Sequence, residues 1–199
     1  RQSQFQSADN SINSQGRVAT NVAMLAKVQQ QLATTKARQS MLDNLDTAAR
    51  QSLQLTADRS KAEQLEVVEL RNALERAQVK VQARKMALWA AKETEDMSQH
   101  PQQQPSTGNL SVGVGVPSVD EAHHQTELAQ SRLTEAEHEA TNLSSAYSAA
   151  RSVFTTSQRT LAEYQSIVEQ VHKSHDALKD TERTLSHAAT ALEHTFTDS

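Results

Sequence analysis

The sequence predicts an all-α chain, folded as an elongated antiparallel hairpin or bundle of two long heptad helices. Three observations predict it. Helix formers dominate, with 28 Ala and 22 Gln among 199 residues. Helix breakers are gathered in one place: Pro101, Pro105, Pro117, Gly108, Gly113 and Gly115 all fall between 101 and 117, leaving only Gly16 elsewhere. An a/d repeat runs through each of the two flanking segments, each about 80 residues long.

Composition also excludes several classes. Cysteine is absent, so disulfide scaffolds, zinc ribbons and cysteine nucleophiles are ruled out. Four Gly and three Pro are too few for a sandwich or barrel with many turns. The apolar fraction of 36% lies below the usual ~45–50%, which argues against a thick layered core. A formal charge of −4 gives no bulk attraction to nucleic acid or acidic lipid. No run of 18 apolar residues occurs, so the chain is not expected to span a membrane.

Residues 1–16 read as a polar lead-in, with room for a short extra N-terminal helix. Residues 17–98 read as the first long helix. Its repeat is Leu25, Val28, Leu32, Thr35, Gln39, Leu42, Asp46, Ala49, Leu53, Thr56, Ser60, Glu63, Val67, Leu70, Leu74, Ala77, Val81, Arg84, Leu88, Ala91. Thirteen of these 20 positions are apolar, against about seven expected from the average. The middle, about 35–63, is weak, and a neighbouring stripe of Met41, Leu45, Ala48, Leu55 and Ala62 competes there. Such a drift predicts a kink or a contact with a third segment.

Residues 99–118 read as a loop at the tip, free of Asp, Glu, Lys and Arg. Residues 119–197 read as the second long helix. Ser118 with Glu121 three residues later gives a capping-box start, and Pro117 precedes it. The repeat then alternates steps of three and four without a stutter from Val119 through Leu133, Leu143, Ser157, Val171 and His175 to Phe196. Nineteen of its 23 positions are apolar, against about eight expected.

Two helices of equal length around one loop should fold back on each other, each roughly 120 Å long if fully helical. A hairpin centred near Gly108 pairs positions whose numbers sum to about 216, setting Leu88 near Leu128 and Leu25 near Leu192. Segment 17–98 carries 13 basic and 10 acidic residues, and segment 119–199 carries 6 and 13. The net charges, +3 and −7, favour pairing within the chain.

Candidate chemistry is sparse. Glu135-x-x-His138 and Glu169-x-x-His172 have the spacing of a carboxylate-bridged metal pair, but they lie 34 residues apart on one helix, about 50 Å. No metal or cofactor site is therefore expected; His123, His124, His138 and His172 read as solvated surface. His175 lies on the seam and reads as a tolerated polar core position. No Gly-x-Ser-x-Gly, phosphate-cradling loop or His-Glu-x-x-His occurs, so neither an enzyme nor a small-molecule substrate is expected. Lys80, Arg84 and Lys85, with Arg71 and Arg76 upstream, form a basic patch that reads as a salt-bridged face rather than a nucleic-acid interface.

Recognition, if any, is expected at the tip, where Leu110, Val112, Val114 and Val116 alternate with Ser and Gly. Asn109 and Asn142 each begin an Asn-x-Ser sequon and are the candidate glycosylation positions.

Composition and architecture together resemble the glycolipid-anchored, alanine-rich surface proteins of insect-stage African trypanosomes, the glutamic acid/alanine-rich protein group. The resemblance covers residues 17–199 and rests on the Ala, Gln and Thr load, the absence of Cys, and two heptad helices around a Pro/Gly tip. Glu is less abundant here than that group's name describes. The resemblance implies a surface antigen on the extracellular face of a cell, a structural glycoprotein in a protective coat, attached to the membrane through a C-terminal glycolipid (GPI) anchor. Two alternatives stand beside it. One is an intracellular coiled-coil scaffold or spacer, cytoplasmic or cytoskeletal, self-associating through the Met41, Leu45 and Leu55 stripe. The other is a secreted helical receptor or adhesin binding through 101–117.

Overall fold

A computed structural model describes residues 2–100 and 117–197 of the chain, and the side chains of 14–100 and 117–196. Helix α1 runs Gln2–Gln99 and helix α2 runs Val119–Thr197. They pack against each other as an antiparallel helical hairpin. Among the described residues only His100, Pro117 and Ser118 lie outside the two helices.

Residues 2–16 are not a separate lead-in or a third helix; they are the first turns of α1. Nothing there forbids helix: no proline occurs, and Gly16 lacks only a side chain. The turn after Gly16 is tied down by Thr20, whose Oγ1 donates to the Gly16 carbonyl at 2.9 Å. At the other end the Asp96 carbonyl accepts from the His100 amide at 3.1 Å, immediately before Pro101. Helix α2 starts as its cap predicts. The Glu121 amide donates to Ser118 Oγ at 3.2 Å, and Asp120 and Glu121 place negative charge in the first turn.

The chain divides into two compact units. Unit 1 comprises Arg1–Ala57 and Arg159–Ser199; unit 2 comprises Asp58–Gln158. In both, burial follows the predicted seam. Every seam position of α1 from Leu25 to Ala91 is buried or half-buried, and so is every seam position of α2 from Ala122 to Phe196. Unit 1 buries Thr35, Ala49, Val171 and Ala189. Unit 2 has the stronger core: Val81, Leu88, Leu133 and Ala136 cluster, with Ala129 and Ala140 packed against them.

Leu88 lies in the cluster against which Ala129 and Ala140 pack, and Leu128, 37% exposed one position off the seam, lines a groove with Ala87 and Ala91. One expectation is corrected. The weak middle of α1 neither breaks nor turns its other face inward. Gln39, Asp46, Thr56, Ser60 and Glu63 stay at the seam, while Met41, Leu45 and Leu55 remain 72%, 50% and 72% exposed.

Candidate functional site: polar layers of the seam and outward faces

The seam is apolar but interrupted, and some of the interruptions are met by a polar group from the opposite helix. In unit 2 Ser60, only 3% exposed, accepts from Gln158 Nε2 at 2.7 Å. One turn further along α1 sits Glu63, paired with Arg59 at 2.8 Å. The Ser157 hydroxyl holds the Glu63 carboxyl below its ordinary value, with Arg59 adding to the effect and burial opposing it. In unit 1 the interruption is His175, whose Nε2 lies 2.9 Å from Asp43 Oδ1. Thr35, buried in unit 1, satisfies itself: Oγ1 donates to the Gln31 carbonyl four residues back at 2.9 Å.

A further cross-helix pair in unit 2 lies outside the seam, at the start of α2, where His123 is exposed. His123 Nδ1 donates to Glu95 Oε1 at 2.7 Å, and its Nε2 lies 3.5 Å from Glu127. Glu95 raises the imidazole above its ordinary 6.5, with Glu127 and Asp120 assisting against a small desolvation. Reciprocally, His123, the Thr126 hydroxyl and Lys92 lower Glu95 below 4.5. A raised imidazole contributes stability below 6.5 and loses it as pH rises through the folded value. A lowered carboxylate contributes above 4.5 and loses it as pH falls through its folded value. The His123→Ala stability difference is therefore expected to be largest between about pH 4.5 and 6.5 and to shrink above that window. Denaturation of both proteins across pH 4–9 checks it, and a flat difference would count against the pair.

Two of the five residues of the basic patch are paired with α2. Lys80 Nζ reaches Glu139 at 2.6 Å, and Lys85 Nζ lies 3.9 Å from Glu137. The remaining motif residues stay apart. Glu169 pairs with Lys173 at 2.8 Å, which lowers its carboxyl, and His172 lies 3.5 Å from Asp176. Among the described residues no group of three or more His, Asp or Glu converges as a metal site. Asn142 is exposed on α2. Asn109, Leu110, Val112, Val114 and Val116 lie outside the described residues.

Grooves along the seam are open to solvent. One in unit 2, about 160 Å³, runs between Arg84, Ala87 and Ala91 on α1 and Gln125, Leu128 and Arg132 on α2. Two in unit 1, about 470 and 320 Å³, are flanked by Thr34, Arg38 and Thr181, and by Arg50, Gln165 and His172. Small seam residues leave these gaps because they cannot fill the space between two helices. Among the described residues no helix is long and apolar enough to cross a membrane.

The cross-helix pairs were not picked out from sequence, though a signal existed. Ser60 with Gln158 and Asp43 with His175 each sum to 218, two away from the predicted pairing sum. Looking for polar seam positions that face any polar residue of the other segment under one antiparallel register would have found them.

No family model and no curated protein matches the chain. A solved structure described as "Toxin Import Through the Antibiotic Efflux Channel TolC" is similar at 16% identity and a TM-score of 0.39, over 83% of this chain and 85% of that one.

Proposed function

We propose that the chain is a non-enzymatic structural protein of a cell surface, one helical hairpin among many in a protective coat, attached through a C-terminal glycolipid anchor. The observation that carries the non-enzymatic part is the distribution of burial. It is confined to one seam of small residues, and the grooves beside it are open rather than water-excluded. Catalytic groups need a shielded site to gain strength from their neighbours. The surface reading draws on the alanine-rich composition and on the hairpin, which brings the two helices together in unit 1, where Asn21 Nδ2 donates to Thr195 Oγ1 at 3.5 Å.

Treating intact cells with a glycolipid-specific phospholipase tests the reading, with mass spectrometry of the released C-terminus. Release carrying a lipid remnant is expected. A soluble, unmodified C-terminus would overturn the coat and leave the second reading, an intracellular coiled-coil scaffold. That reading draws on the exposed Met41, Leu45 and Leu55 of unit 1.

A further inference from the structure

Helix α1 carries a second apolar stripe in unit 2, on the face turned away from α2. Val79, Ala83, Met86, Ala90 and Met97 recur at steps of four, three, four and seven, opposite the a/d seam on the helical wheel. All are exposed, Val79 at 69% and Met86 at 67%, and Trp89, at 61%, flanks Met86 one turn on. A helix covered by one partner needs only one apolar face. The outer stripe is thus unexplained by packing within the hairpin.

The charges at the two ends of the stripe say what fits it. Arg76 lies on the stripe at its N-terminal end, and Glu93 and Asp96 lie on it or beside it at the C-terminal end. All three are exposed, and among the described residues none is engaged in an ion pair. Between them, Val79 to Ala90, the stripe itself is uncharged. An identical stripe laid antiparallel sets Arg76 against Asp96 or Glu93 of the other copy at both ends, with Met86 close to the two-fold axis. A parallel copy would set Arg76 against Arg76 and acid against acid. The surface is self-complementary in one direction only, which is the requirement of an isologous dimer.

We propose that this outer face of α1, from Arg76 to Met97, is a homodimer interface that takes a second copy of the chain in antiparallel orientation. It goes beyond the proposed function and does not depend on an anchor or on the cell surface. The stripe is about 30 Å long and one helix face, about 10 Å, wide, so it offers roughly 300 Å², well under the ~800 Å² per partner of stable complexes, and the dimer is weak and reversible.

Trp89 is the only tryptophan of the chain and reports on the interface directly. In sedimentation equilibrium of the full chain between about 10 µM and 1 mM, the mean mass is expected to climb from 21.9 kDa toward twice that value. Trp89 emission is expected to shift to the blue in step. Met86→Asp abolishes both changes without loss of helical signal, because the position is outside the seam. Arg76→Glu weakens association about tenfold or more, and adding Glu93→Lys and Asp96→Lys restores it. A chain that stays monomeric at the highest concentration overturns the proposal. So does a dimer indifferent to Met86→Asp, or a charge swap that fails to rescue. Loss of the glycolipid reading leaves these outcomes untouched.

Discussion

Leu133→Asp is expected to melt the packing of unit 2. Leu133 is 7% exposed and sits among Val81, Leu88 and Ala136. The cluster is apolar, and Arg84, half-buried on the seam between Val81 and Leu88, offers only partial compensation to a carboxylate. A buried charge there costs up to about 3–5 kcal/mol, a large share of the ~5–15 kcal/mol that keeps an ordinary domain folded. Leu133→Ala is expected to cost less, about 2 kcal/mol, the low end for such truncations. Its neighbours Ala129, Ala136 and Ala140 are small, and an open seam can collapse or admit water rather than hold a cavity. Leu55→Asp is the control. At 72% exposure it should change stability by no more than about 0.5 kcal/mol. Urea denaturation followed by circular dichroism separates the three. Equal effects of Leu133→Asp and Leu55→Asp would mean that the seam is not where the stability lies.

Ser157→Ala is expected to destabilise unit 2 by about 1 kcal/mol, because it removes the hydroxyl that lowers the Glu63 carboxyl, whose Oε2 is otherwise buried without a hydrogen-bond partner. Pairing it with Glu63→Leu is expected to reverse the loss, leaving stability equal to or above the parent's. Removing a partly buried charge together with its partner removes the desolvation cost as well. The two proteins should also differ in acid. The Glu63 carboxyl is held below 4.5, so its contribution is present above that value and disappears as pH falls through the folded value. The parent therefore loses stability on acidification that the double variant keeps. Denaturation midpoints at pH 7 and pH 3 read both effects. A double variant as weak as Ser157→Ala alone would show that the layer is not a coupled unit.

The alternation of three and four residues in α2 was legible because it is a local property. Consecutive turns of one helix present those positions on one face whatever lies opposite, and from Ala122 to Phe196 the structure buries or half-buries that face throughout. The capping of α2 at Ser118 was legible for the same reason: its donor and acceptor are three residues apart. The turns before Gly16 were misread, since polar composition alone does not break a helix that lacks proline.

The middle of α1 could not be decided that way. There the seam positions Asp46, Ser60 and Glu63 are polar, while Met41, Leu45 and Leu55 on another face are apolar. Judged by hydrophobicity alone, the apolar face should be buried. The structure buries the polar one instead, because α2 keeps an unbroken repeat and one partner helix can cover only one face of α1. The Leu25–Leu32 and Leu70–Leu88 ends commit that face to the seam. Ser60 and Glu63 are then accommodated by Gln158 and Ser157 from the opposite helix, and Asp46 by Arg50 one turn on in α1. Helical periodicity thus specified which residues share a face. Which face is covered, and which polar groups meet across it, depends on residues about a hundred positions away in the chain, and only the packing of α2 on α1 brings those within hydrogen-bonding reach.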